Sequence, residues 1–178
     1  GLFLTQKAIE EQAALQAFNE SNVLKLIQYT TRATADMCKG QVMDLESRGN
    51  PLSLQELNTL CFYKTGIGFE AALLMPAILA DASTDVIDLL RKYAYHAGIA
   101  FQIKDDLLDS EGELTTLGKK TGMDKDNDTS TFVTVLGVEG ARKEMWEHYC
   151  MALDIVESLP KKTNFLKFLV DYMVNRTR

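Results

Sequence analysis

Apolar positions recur at three- and four-residue intervals along nearly the whole chain, and the alternation that marks strands is absent, so the sequence predicts an all-α fold. A first helix is expected over residues 4–18. Asn19-Glu20-Ser21-Asn22 reads as the turn that caps a long second helix over 23–47, which stops at the breaker cluster Arg48-Gly49-Asn50-Pro51. Ser53-Leu54-Gln55-Glu56 has the spacing of a capping box and opens a third helix, with Leu54, Leu57, Leu60 and Cys61 on its buried face. Gly66 and Gly68 interrupt that helix and predict a kink. A fourth helix starts at Asp81-Ala82-Ser83-Thr84 and is expected to end near residue 109. Residues 110–130, with Gly112, Gly118, Gly122 and many charges, read as a loop, and helices over 138–159 and 163–176 complete the chain.

Length and charge narrow the function. A chain of 178 residues suits one domain with a real core, and we take 1–178 as a single, incomplete one. A net charge of −6 argues against nucleic acid or an anionic membrane surface as partner. Three widely spaced cysteines (Cys38, Cys61, Cys150) form no C-x-x-C pair, so a disulfide framework and a cysteine zinc site are disfavoured and a reducing, cytoplasmic location is expected. No apolar run is long enough to span a membrane. The chain begins Gly1-Leu2-Phe3-Leu4, already inside an apolar helical pattern, which reads as a piece of something longer.

The most informative segment is residues 99–109. On a helix, Gln102, Asp105, Asp106 and Asp109 fall on one stripe, with Ala100, Ile103, Leu107 and Leu108 covering much of the remainder. No Lys or Arg sits three or four positions from these carboxylates, so their repulsion needs positive charge from elsewhere. A hard divalent cation with oxygen ligands is the economical candidate, against the plainer reading of a solvated acidic helix end.

These residues resemble a known family. Phe101-Gln102-Ile103-x-Asp105-Asp106-x-x-Asp109 is similar to the second aspartate-rich motif of the trans-isoprenyl diphosphate synthases, or polyprenyl synthetases. Three further segments resemble motifs of the same family, in the same order: Gly40-Gln41-x-x-Asp44-Leu45, Lys64-Thr65-Gly66, and Leu117-Gly118-Lys119-x-x-Gly122-x-Asp124. The resemblance covers residues 20–140 and implies the C-terminal part of an isoprenoid-synthase helical bundle. It also implies two small-molecule partners, an allylic diphosphate and isopentenyl diphosphate, joined by a Mg2+-dependent prenyltransferase that forms a homodimer.

The resemblance assigns roles residue by residue. Asp105, Asp106 and Asp109 belong to the Mg2+-binding face, with Asp105 the direct ligand and the other two acting through water or hydrogen bonds. Lys64 contacts the allylic diphosphate, and the break at Thr65-Gly66 turns a carbonyl, with the Thr65 and Gln102 side chains, toward the developing cation. Phe101 and Gln102 line the substrate site. Gln41, on the stripe that continues Ile27, Thr31 and Thr34, faces diphosphate or cation, and Asp44 partners neighbouring helices; a purely structural role for both stays open. Lys119 approaches diphosphate from the loop. Where the family has a lysine and a tyrosine, this chain has Thr129 and Phe132, which weakens the loop's charge and keeps its aromatic ring. His96 and His148 have no motif context and read as core or surface histidines.

The family's first aspartate-rich motif lies upstream of the matched region, and no second D-D pair precedes residue 105 here. The chain is therefore expected to be the C-terminal portion of a synthase and inactive alone. The alternatives are a longer chain of which this is a stretch, and a truncated, non-catalytic or partner-completed synthase subunit. A class I terpene cyclase shares the chemistry and is the other reaction considered. A di-iron carboxylate bundle needs Glu-x-x-His on two helices, and Tyr93 and Met145 stand where those glutamates belong.

Overall fold

A computed structural model of the chain describes residues 7, 10, 11, 19–116, 130–161 and 163–177. Among them the elements are α1 (Glu20–Glu46), α2 (Leu54–Cys61), a π-helical turn (Phe62–Gly66), α3 (Ile67–Leu79), α4 (Thr84–Thr116), α5 (Phe132–Ser158) and α6 (Asn164–Asn175). No strand occurs among the described residues, and the fold is all-α as expected. Lys7, Glu10 and Glu11 are helical and exposed; the rest of the expected first helix lies outside the described residues.

The helix starts follow from local hydrogen bonding. The Asn19 Oδ1 accepts from the Ser21 N–H at 2.8 Å, so α1 begins at Glu20, three residues before the expected start. The Ser53–Glu56 capping box forms in both directions. Thr131 caps α5 by accepting from the Thr134 N–H at 3.1 Å, which places its start at Phe132 rather than 138. Gly137, at φ 71°, then breaks the helical path inside α5, and that break is why apolar periodicity resumed only after it.

Helix α4 is the centre of the packing. Tyr93, Ala94, Ala97, Ile99, Ala100 and Ile103 are fully buried along it, and two apolar clusters form around them. Burial of Ile99 and Ile103 contributes about 1.5–3 kcal/mol each. The Tyr93 hydroxyl donates to the Leu166 carbonyl at 2.7 Å and so ties α6 to α4. Glu70 on α3 is buried, accepts from the Tyr29 hydroxyl of α1 at 3.2 Å, and lies 3.6 Å from the Arg91 guanidinium of α4. Three helices are thereby joined through one carboxylate.

Glycines set the closest crossing. A Cβ on Gly40 of α1 would stand 2.5 Å from the Tyr63 carbonyl carbon and 2.6 Å from the Lys64 nitrogen. From the other side, a Cβ on Gly98 of α4 would stand 3.0 Å from the Gly66 Cα. The π-helical turn is thus clasped between backbone surfaces of α1 and α4. The kink expected from Gly66 and Gly68 is this turn; Gly68 itself faces open space.

Between α4 and α5, His96 and His148 meet Nδ1 to Nδ1 at 3.0 Å, with the Glu144 carboxylate 3.5 Å from the other nitrogen of His148. One proton fits between the two Nδ1 atoms. Burial, with His148 adding to it, holds His96 down to about 4, and burial lowers His148 as well. In the unfolded chain both titrate near about 6.5. The folded protein therefore binds fewer protons in that interval, and stability present above the unfolded value is lost as pH falls toward about 4. After discounting for the partial burial of His96, the loss expected is about 1–2 kcal/mol. Urea unfolding at neutral and acidic pH measures it. A His96→Asn variant with an undiminished pH slope would assign the loss to other groups.

Candidate functional site

The π-helical turn, α4 and the start of α5 converge on a cavity of 90 Å³ lined by Asp44, Leu57, Leu60, Cys61, Lys64, Thr65, Gln102, Asp106 and residues Ser130, Thr131 and Phe132. Each polar wall has a structural cause. Asp44 comes from the C-terminal part of α1, is 6% exposed, and accepts an ion pair from the Lys64 Nζ at 2.9 Å. Lys64 keeps a 42% exposed side chain, so its ammonium is accessible as well as anchored.

A hydrogen-bond chain crosses the floor. The Thr65 hydroxyl donates to the Gln102 Oε1 at 3.2 Å, and the Gln102 Nε2 donates to the Asp106 Oδ1 at 3.0 Å. The second oxygen of Asp106 accepts from the Phe132 N–H at 2.8 Å. The amide of Gln102 is oriented by these two neighbours of opposite character. Burial pushes the Asp106 carboxyl up, while the bonds from Gln102 and Phe132 pull it down and the Asp109 and Asp105 charges add to the rise. Ser130 accepts from the Leu52 N–H at 3.1 Å, which pins the chain just before α5 to the α1–α2 connection. Phe132 is fully buried, keeping an aromatic ring in place as expected. Cys61 is buried against the cavity, and its thiol is pushed up by that burial, with Asp106 adding to it, so it is inert as a nucleophile.

Asp105, next to Asp106 in sequence, is outside the cavity lining and faces Arg176, the residue that ends α6. The Arg176 guanidinium pairs with the Asp105 Oδ1, donates to the Phe101 carbonyl at 3.3 Å, and lies 4.1 Å above the Phe101 ring. Asp109 is exposed at the solvent end of the stripe.

The expected site residues divide accordingly. Lys64, Thr65, Gln102 and Asp106 are brought together around the cavity, Asp105 and Asp109 lie outside it along the same helix, and Phe101 is partly buried against Phe69. Gln41 is exposed and does not line the cavity. The inward face of α1 is Val23, Leu26, Ala33, Gly40 and Asp44, not the stripe through Ile27, Thr31 and Thr34. Lys119, Thr129 and the motif of residues 117–124 lie outside the described residues. The positive charge that the carboxylates lack locally is supplied, at Asp105, by Arg176 from 71 residues away. The one signal of that partner in the sequence is an arginine at the end of the last amphipathic helix.

The donor set fits a hard divalent cation. Every candidate ligand is a carboxylate oxygen: Asp44 pairs with Lys64 and Asp105 with Arg176, while no ion pair is found for Asp106 or Asp109 among the described residues. Among the described residues no three acidic, histidine or cysteine side chains converge as a finished cage. Remaining positions around an ion would thus be filled by water or by substrate oxygens, as suits Mg2+. No helix among the described residues is long and apolar enough to cross a membrane.

The polyprenyl synthetase family profile matches residues 1–168. Farnesyl diphosphate synthase of Bacillus subtilis (strain 168) is 36% identical over 143 residues, 80% of this chain and 48% of that protein. Farnesyl diphosphate synthase of Escherichia coli (strain K12) is 36% identical over 148 residues, 81% of this chain and 50% of that protein. The crystal structure of a putative farnesyl-diphosphate synthase from Marinomonas sp. MED121 superposes with a TM-score of 0.78 at 26% identity, covering 97% of this chain and 60% of that one. The chain thus spans about half the length of the curated relatives it matches. By sequence and by fold, the chain belongs to the polyprenyl synthetase family.

Proposed function

We propose that the protein built from this chain is a Mg2+-dependent trans-prenyltransferase that condenses an allylic diphosphate with isopentenyl diphosphate. The observation that carries the reading is the Lys64–Thr65 turn facing the aspartate stripe of α4 across one cavity, in a chain whose relatives include farnesyl diphosphate synthases. Bound Mg2+ would supply charge to the diphosphate leaving group. This chain's own residues do the remainder. Asp105 and Asp109 would hold the ion at the open end of the stripe, and Asp106 orients the floor by its bonds to Gln102 and Phe132. Lys64 offers its ammonium to diphosphate oxygens, and Asp44 keeps that ammonium at the cavity. Thr65 and Gln102 present oxygen dipoles where an allylic cation would develop, without offering it a strong nucleophile. Phe101 lines the approach, and the chain is one incomplete bundle domain, about half the length of its relatives, in a cytoplasmic homodimer.

The test is pyrophosphate binding with and without Mg2+, followed by calorimetry. Asp105→Ala is expected to remove most of the Mg2+ enhancement, a loss of about 10–100-fold. Freed Arg176 leaves some metal-independent binding, so the ratio of the two affinities is the informative quantity. An unchanged ratio would withdraw the assignment of the metal face.

A further inference from the structure

Arg176 is held by more than its carboxylate. Its Nη2 is shared between Asp105 and the Phe101 carbonyl, and the guanidinium lies on the Phe101 ring, which leaves its side chain only 15% exposed. One atom is not satisfied: the Arg176 Nε is buried without a hydrogen-bond partner among the described residues. A desolvated N–H left unpaired makes this placement costly and easier to give up than a fully bonded one. The Arg176 amide itself bonds only to the Tyr172 carbonyl, at 3.1 Å, as the last rung of α6. Arg176 and a divalent cation would compete for the same Asp105 oxygens, because like charges cannot share them at contact distance.

We infer that Arg176 is a releasable counter-ion for Asp105: it fastens the end of α6 to the carboxylate face while no divalent cation is bound, and a cation that takes Asp105 sets the guanidinium and the last turn free. This rests on the reading of the carboxylate face given above. Coupling of this kind is reciprocal, so whatever Arg176 contributes to holding the turn it subtracts from cation affinity. Arg176 is in this sense a positioning residue that acts through Asp105.

The experiment is Mn2+ binding, read from the electron paramagnetic resonance signal of free Mn2+, on the purified protein without substrate. Arg176→Gln is expected to bind Mn2+ about tenfold more tightly than the parent, with Arg176→Lys between them. Asp105→Asn should lose the binding. The second readout is amide hydrogen exchange over the end of α6. Mg2+ should speed exchange at Arg176 in the parent, and in Arg176→Gln exchange should be fast whether or not Mg2+ is present. Equal or weaker Mn2+ affinity in Arg176→Gln, or an end of α6 indifferent to Mg2+, overturns the inference and leaves the metal face standing. Absence of Mn2+ binding in both proteins, or binding that survives Asp105→Asn, overturns the inference and the metal face together.

Discussion

Gly40→Ala is expected to destabilise the protein by about 3 kcal/mol, the upper part of the range for forcing atoms into a packed interior. The added methyl would meet backbone, not the far end of a flexible side chain: Tyr63 C at 2.5 Å, Lys64 N at 2.6 Å and Tyr63 O at 2.8 Å. Relief would require α1 to move off the π-helical turn, carrying Asp44 away from Lys64. For a chain of this size the melting temperature should drop by about 6–12 °C. Gly68→Ala is the matched control. It adds the same methyl to an exposed helical position with nothing within 4 Å, and should raise stability by about 0.5–1 kcal/mol. Similar melting temperatures for the two variants would show that the crossing yields more readily than its backbone contacts indicate.

Lys64→Met should cut kcat/KM for prenyl transfer by about 10²–10³ in the complete synthase, the usual effect of deleting one preorganised charge that meets a developing anion. Some loss of stability accompanies it, because Asp44 is 6% exposed and would lose its cation. The two effects separate in the double variant Lys64→Met, Asp44→Asn. Removing the orphaned carboxylate charge should restore the melting temperature, while activity stays low. Recovery of activity in the double variant would mean that Lys64 serves only to neutralise Asp44, and its assignment to diphosphate would be dropped.

Most of the fold was legible because helical periodicity and capping are local signals. The Ser53–Glu56 box and the breaker at 48–51 mark their boundaries without help from tertiary structure. Where the reading missed, the deciding contact was distant or carried no hydrophobic signal. The inward face of α1 carries the small residues Ala33 and Gly40, the latter at the closest backbone crossing, and so gives a weaker hydrophobic signal than the exposed stripe through Ile27. Helix α4 runs past the expected end near 109 to Thr116, where the Arg142 guanidinium of α5 donates to the Glu111 carboxylate at 2.6 Å, a contact from 31 residues away. In the site, Asp105, Asp106 and Asp109 stood out by spacing alone. Arg176 and the Phe132 N–H did not, since both reach the aspartates only through the packing of α5 and α6 on α4.

The π-helical turn also leaves a trace in the numbering of the buried residues. Leu57, Cys61, Gly66, Glu70 and Leu74 follow one another inward, and the single five-residue step among steps of four is the turn itself. An α-helix advances about 100° per residue, so one surplus residue re-phases everything after it. Read as an insertion, that residue is what lets one continuous helical path aim Lys64 at the cavity and still deliver Glu70 and Leu74 to the interior. The length of this segment is therefore under tighter constraint than its composition: many side chains here could be exchanged, but the count of residues between Cys61 and Glu70 could not change by one without turning the helix's wet side to its dry neighbours.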